Sequence, residues 1–185
     1  TERDSRVQES SLLRSQVRKF VQNKITLLKD FLVEGDLLDY VGGELVQRNN
    51  NEERPMTLVD LNNRINSAGV LTGIGAYVNT PSDVKVKILR YIESNLVVVW
   101  ESAPIKLYKL GLTKHQFVNT VGVEKGDVIA FEFERNVGVG YSEGTSDTRF
   151  SRNPIALGNS IHVNALEGAK SKRAYSIGVY GLLNQ

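Results

Sequence analysis

The spacing of apolar residues changes near residue 60, and this change constrains the fold more than any other feature of the sequence. From about Arg6 to Val33 there is neither Gly nor Pro, and apolar residues recur at intervals of three and four, as one face of an α-helix requires. After Leu58, apolar and polar residues alternate, which is the period of a strand with one buried face. The sequence therefore predicts a helix followed by a β-domain.

The predicted helix has an apolar stripe and a charged opposite face, and two interpretations of the stripe remain open. The helix packs on its own domain, or it joins subunits in a parallel helical bundle. Its length, its position before the β-domain and the polar break after it favour the bundle. The predicted oligomerisation residues are Leu13, Val17, Phe20, Val21, Ile25, Leu28 and Leu32.

Residues 42–57 are predicted to be a linker. They contain Gly42-Gly43 and a polar run from Gln47 to Pro55, a composition that neither helices nor strands favour. The predicted organisation is an amphipathic helix or helical stem over residues 1–41, this linker, and a β-sandwich head over residues 58–185.

Short alternating segments, separated by polar turns such as Asn79-Thr80-Pro81-Ser82-Asp83, follow one another through the head. Strands are predicted at 70–78, 84–89, 96–100, 105–110, 117–123, 127–134, 137–141, 161–166 and 174–183. Short strands at even spacing, with no helical segments between them, indicate an antiparallel sandwich or barrel. The predicted fold class is mainly β: an antiparallel, jelly-roll-like β-sandwich with an N-terminal amphipathic helix.

Two stretches of the head resemble known jelly rolls. The sequence GVLTGIGAYVNTPSDVKVKILRY from Gly69, the Trp-bearing strand after it and VEKGDVIAFEF from Val123 resemble hairpins of jelly-roll modules at the ends of bacteriophage fibres and spikes and in related sugar-binding sandwiches. The final YSIGVYGLL from Tyr175 is similar to the last strand of trimeric jelly rolls of the tumour-necrosis-factor and C1q type. The resemblance implies a jelly-roll architecture and a trimeric assembly, and it transfers no binding residues.

Composition argues against several functions. The chain has no cysteine, so disulfides and thiolate nucleophiles are absent. Its 23 basic and 21 acidic residues nearly cancel, which gives no field to attract nucleic acid. No apolar run approaches the roughly 18 residues of a membrane span. The only histidines, His115 and His162, are not spaced as metal ligands, and no metal or cofactor is predicted.

One pair of carboxylates has a spacing found in glycosidases. Glu132 and Glu134 lie about 7 Å apart on one strand face. They alternate with Phe131 and Phe133, which indicates a solvated face above a buried one. Since no other catalytic pattern is found, the protein is predicted not to be an enzyme.

The loop 142–148 offers oxygen ligands for calcium but lacks the spacing of an EF-hand, so a plain loop is preferred.

Ligand binding is predicted where an aromatic side chain precedes a polar loop. An aromatic ring covers the C–H face of a sugar while planar polar groups address its hydroxyls. The predicted ligand-binding residues are Tyr141, Asp147, Arg149 and Arg152. Trp100 is instead predicted to lie in the core, on the same strand face as Leu96 and Val98.

Two functions are considered first, and an enzyme acting on glycans through Glu132 and Glu134 is a weaker third. The first is a non-enzymatic structural and attachment protein: a trimeric viral fibre, spike or capsid-surface component, at the virion surface or extracellular, that presents its head to a glycan or a surface protein. The order of helix and strands, the cysteine-free core and the glycine-rich strands favour it. The alternative is a monomeric carbohydrate-binding or protein-interaction β-sandwich whose helix packs on its own sheet.

Overall fold

The computed structural model describes residues 38–183, which form two antiparallel β-sheets and one short 3-10 helix. The prediction of a mainly β protein is thus confirmed. The elements are β1 (Asp39–Gly42), β2 (Asn50–Glu52), β3 (Met56–Asp60), β4 (Gly69–Val78), β5 (Ser82–Ile92), β6 (Asn95–Glu101), β7 (Ile105–Leu107), β8 (Gly111–Val123), β9 (Val128–Phe133), β10 (Val137–Ser142), β11 (Thr148–Ser151), β12 (Ser160–His162), η1 (Val163–Ala165), β13 (Ala174–Tyr175) and β14 (Ile177–Leu183). The predicted oligomerisation residues between Leu13 and Leu32 lie outside the described residues.

Eight strands form the framework of the two sheets. When β1, β3, β4, β5, β6, β8, β9 and β14 are numbered along the chain, the first pairs with the eighth, the second with the seventh, the third with the sixth and the fourth with the fifth. β14 also pairs with β4, and β9 with β5. These last pairings join the four ladders into a first sheet, β1-β14-β4-β8, and a second sheet, β3-β9-β5-β6.

The main core takes side chains from both sheets. Ile74 of β4 and Val179 of β14 come from the first sheet, and Leu58 of β3, Val86 of β5 and Phe131 of β9 come from the second. Each of these residues is fully or almost fully buried. Their alternation with residues on the opposite strand face is the pattern that the sequence predicts for strands with one buried face.

A second apolar cluster lies on the other face of the second sheet. Val59, Val128 and Ala130 alternate with main-core residues and pack instead with Ile155 and Leu166, which follow β11. The second sheet is therefore covered on both faces around this cluster. This arrangement decides the environment of the charged residues described below.

Several residues outside the predicted head form strands. β1 runs from the last residues of the predicted helical segment into the predicted linker, 42–57, and β2 and the start of β3 lie in that linker. Arg48, from the same segment, donates from Nε to Ser176 Oγ at 2.8 Å and from Nη1 to Ser142 Oγ at 2.7 Å. Strand ladders use backbone groups, so a short polar strand such as Asn50–Glu52 shows no alternation in the sequence.

The prediction that Trp100 shares a strand face with Leu96 and Val98 is wrong, because a β-bulge precedes Trp100. Trp100 packs against the main core, whereas Leu96 and Val98 belong to the second cluster on the opposite face. Ile88 pairs with Trp100 and Leu89 with Val98, so Val99 is an additional residue in β6. One additional residue moves the following side chain to the other face of a sheet, and simple alternation does not register it.

The predicted strand 161–166 is only partly a strand. β12 ends at His162, whose Nδ1 accepts a hydrogen bond from the backbone N–H of Asn164 at 3.1 Å. This side-chain contact caps the 3-10 helix η1, which occupies the next residues. A local side-chain hydrogen bond thus ends the extended backbone although apolar residues continue beyond it.

Gly75 provides a test of the packing on the first sheet. A Cβ at Gly75 would lie 2.6 Å from Cε2 of Tyr180 and 2.9 Å from Cδ1 of Leu45. We expect Gly75→Val to lower the free energy of unfolding by about 1–3 kcal/mol, measured by urea denaturation. The matched control is Gly122→Val, since a Cβ there meets only the carbonyl oxygen of Gly69, at 4.0 Å. Equal losses in the two variants would contradict this packing.

Candidate interaction surface

The structure gives Tyr141 partners that the sequence did not indicate. Tyr141, near the end of β10, packs its ring against Tyr175 with the two centroids 5.3 Å apart. The guanidinium carbon of Arg173 lies 4.2 Å from the Tyr141 centroid. Tyr141 is therefore half-buried within an aromatic and cationic cluster.

The other predicted ligand residues form two separate ion pairs. Arg149 Nε lies 3.2 Å from Asp147 Oδ1, where the loop from β10 enters β11. Arg152 Nε lies 3.2 Å from Glu167 Oε2. Asp147 and Arg149 are thus brought together, while Tyr141 and Arg152 have partners of their own.

Arg173 is the residue of this region that sequence reasoning missed. Its guanidinium also lies 5.0 Å from the Phe150 ring centroid and donates to Tyr175 Oη at 3.0 Å. Burial raises the pKa of Tyr175 to about 12, so its hydroxyl stays protonated at neutral pH. The spacing of two between Arg173 and Tyr175 was the available signal, because residues two apart in an extended chain share a face.

A more accessible surface lies along β8. This strand has 13 residues and pairs with β4 along one edge. Within residues 38–183 no strand pairs with its other edge. An unpaired edge of this length offers backbone donors and acceptors to another chain unless charges, bulges or covering segments protect it. Lys114 is the only Lys, Arg, Asp or Glu in β8.

A wide bulge directs β8 side chains outward. Leu71 pairs with Val121 and Gly73 with Gln116, so residues 117–120 lie opposite Thr72 alone. Phe117 turns inward and is 6% exposed, whereas Val118 is 91% exposed. The bulge therefore projects an apolar side chain from the edge of the sheet.

A cleft with both apolar and polar walls adjoins this projection. It has a volume of about 420 Å³ and is lined in part by Trp100, Ile105, His115, Phe117 and Val118. The Trp100 and Phe117 rings are in tilted contact, with centroids 5.4 Å apart. We call this the Trp100 cleft. One side of the cleft is formed by β8 of the first sheet, and the other by the end of β6 and the residues that lead into β7.

No protein-family model, curated protein or solved structure matches this chain. The functional inference accordingly depends on the geometry of its surfaces. Among residues 38–183 no helix has the length and apolar character of a membrane span. In the same range, His, Asp and Glu side chains form no group of three suited to hold a metal ion.

His115 adds little charge to the β8 surface at neutral pH. Burial lowers the pKa of His115, and its Nε2 lies 3.2 Å from Thr113 Oγ1. The neutral ring, the indole and the exposed valine form the apolar part of this surface, and Glu101, Gln116 and Asn119 add polar groups to the cleft. Such a surface is suited to contact with another protein chain, in which backbone pairing supplies affinity and apolar pockets supply specificity.

Proposed function

We propose that this protein is a non-enzymatic structural and attachment protein whose β-sandwich head assembles with further copies of the chain into a trimer. The bulge of β8, from which the 91% exposed Val118 projects, is the observation that carries the proposal. Two further exposed leucines, Leu110 and Leu112, lie where β8 begins, and the Trp100 cleft adjoins the bulge further along the strand. Projections of one copy that enter the cleft of the next make a heterologous contact, which closes into a ring when the rotation permits.

The order of strand pairing supports a jelly-roll sandwich. Pairing of the first strand with the eighth, the second with the seventh and so on results when one long antiparallel ribbon is rolled into two sheets. This pairing agrees with the resemblance to trimeric jelly rolls of the tumour-necrosis-factor and C1q type. A trimer is therefore the assembly that we propose.

The proposed biological setting is a viral, and specifically phage, fibre, spike or capsid-surface component. The resemblance to modules at the ends of phage fibres and spikes supports this setting, as does the predicted helical stem. In this proposal the apolar stripe from Leu13 to Leu32 forms a parallel bundle, and the head meets a glycan or a protein at the virion surface or outside the cell.

The environment of the acidic pair supports a non-enzymatic role. Glu132 Oε1 lies 3.1 Å from Lys87 Nζ, and Glu132 and Glu134 both lie within 4.0 Å of Lys85 Nζ. The two carboxylates of a glycosidase flank the scissile bond of the sugar, whereas both carboxylates here are engaged by lysine ammonium groups. The pair thus has a role in ion pairing and in the cleft described below.

Light scattering coupled to size-exclusion chromatography tests the assembly. At micromolar concentration we expect a mass three times that of the 20.6 kDa chain. A stable monomer would refute the trimer and favour the alternative, a monomeric carbohydrate-binding or protein-interaction domain.

A further inference from the structure

A row of polar residues crosses the outward face of the second sheet. Ser151 pairs with Thr57, Thr57 with Glu132, and Glu132 with Lys85, so the four side chains come from four adjacent strands. A cleft of about 410 Å³ lies at this row, and Thr57, Glu132 and Lys85 line it. We call it the Thr57 cleft. It lies beside the second apolar cluster and is distinct from the β8 edge.

Thr57 is the residue of this row that points to a ligand. It is 1% exposed, and its Oγ1 has no hydrogen-bond partner among residues 38–183. Burial of a hydroxyl without a partner costs free energy, so such groups in folded proteins commonly have a role. Thr57 also lines the cleft, so a rotation of its side chain towards a ligand hydroxyl there would supply the missing partner.

The charges of the Thr57 cleft are balanced. Lys85 Nζ lies 3.5 Å from Glu134 Oε1 and 4.0 Å from Glu132 Oε2, and Arg152 adds a second cation. The other carboxylate oxygen of Glu132, Oε1, lies 3.1 Å from Nζ of the buried Lys87. An anion entering the cleft meets two carboxylates, and a metal cation meets the ammonium group between them. The cleft is therefore suited to a neutral ligand that both donates and accepts hydrogen bonds.

We propose that the Thr57 cleft binds a neutral sugar residue of a glycan. Oxygens of Glu132 and Glu134 accept hydrogen bonds from sugar hydroxyls, Lys85 Nζ donates one, and Thr57 Oγ1 gains a partner. The exposed rings of Pro55 and Pro154 at the cleft cover the apolar face of the sugar. The cleft volume lies in the range of small-molecule sites, about 300–1,000 Å³.

This inference specifies the attachment part of the proposed function and rests on that part alone. Saturation-transfer NMR on the full chain provides the test, with the methyl glycosides of galactose, glucose, mannose and N-acetylglucosamine as neutral probes. Inorganic phosphate and N-acetylneuraminic acid are the anionic probes. We expect saturation transfer to at least one neutral glycoside, and no competition by phosphate.

Two variants and one control assign the binding to the cleft. Thr57→Val and Glu134→Gln are each expected to weaken binding about tenfold, the equivalent of one good hydrogen bond. Thr57→Val should still fold, because it removes a buried hydroxyl that has no partner. The control is Thr72→Val, a buried strand threonine of the first sheet whose Oγ1 donates to the carbonyl oxygen of Tyr180 at 3.3 Å. It should bind the sugar as the natural protein does.

Three results would overturn the proposal: no transfer to any neutral glycoside, unchanged binding in both cleft variants, or tighter binding of the anionic probes. The proposed trimer and the proposed sugar site can be refuted separately. A monomer that binds the glycoside through Thr57 would refute the trimer and leave the sugar site intact. A trimer that binds no glycoside would refute only the sugar site.

Discussion

Replacement of Lys87 by alanine is expected to lower the free energy of unfolding by about 3–5 kcal/mol. Lys87 is 2% exposed, and its Nζ donates to Glu132 Oε1 at 3.1 Å and to the carbonyl oxygen of Ile155 at 2.5 Å. Its removal leaves the buried carboxylate of Glu132 with Lys85 as its remaining cation. It also leaves a cavity beside Ile155. Equilibrium urea denaturation followed by circular dichroism measures the loss.

A double replacement separates the ion pair from the packing. Lys87→Met with Glu132→Leu removes both charges and retains the buried volume, so we expect most of the lost stability to return. Lys85→Met is the matched control on the same face of β5, and because Lys85 is more exposed we expect a change below about 1 kcal/mol. If Lys85→Met lowers the free energy of unfolding as much as Lys87→Ala does, the burial of Lys87 is not the cause of the larger loss.

The second large effect is expected on assembly. Val118→Lys places a charge at the most exposed apolar position of β8 and should shift the trimer towards the monomer. A central interface residue contributes about 2 kcal/mol or more, which corresponds to a change of roughly 30-fold in the dissociation constant. Light scattering over a dilution series measures this change, and circular dichroism checks that the head remains folded.

Leu157→Lys is the control for Val118→Lys. Leu157 is 57% exposed and lies between β11 and β12, in the segment that follows the second sheet's outer strand. The same charge there should leave the mass unchanged. Equal dissociation by both variants, or by neither, would contradict assembly through the β8 edge. If only Leu28→Lys in the predicted stem dissociates the trimer, the stem alone assembles the subunits.

Most long strands could be predicted from the sequence because each has a buried face. The predicted segments 70–78, 84–89 and 96–100 coincide with β4, β5 and β6 to within a few residues. The short strands β1, β2, β3 and β11 were not predicted. Their pairing depends on backbone groups of distant strands, and their few side chains show no period.

The candidate sites were harder to predict than the strands. The alternation around Glu132 predicted a solvated carboxylate, yet Glu132 is 8% exposed because the chain after β11 covers that part of the sheet. Glu134, two residues further on, remains exposed, as its pattern predicts. Thr57 lay in the predicted linker and had no visible role. Its place in the cleft follows from pairing with Ser151 and Glu132, which are far from it in the chain.

The sequence by itself determined the β-rich class and the approximate places of the long strands, because alternation is a local property of neighbouring residues. Only the tertiary structure decided which strand edge stays unpaired in the described residues, where bulges re-aim Trp100 and Val118, and which lysine and carboxylate are buried together. Each of these features arises from contacts between residues distant in the chain. A local pattern carries no information about such contacts, and both proposed binding surfaces depend on them.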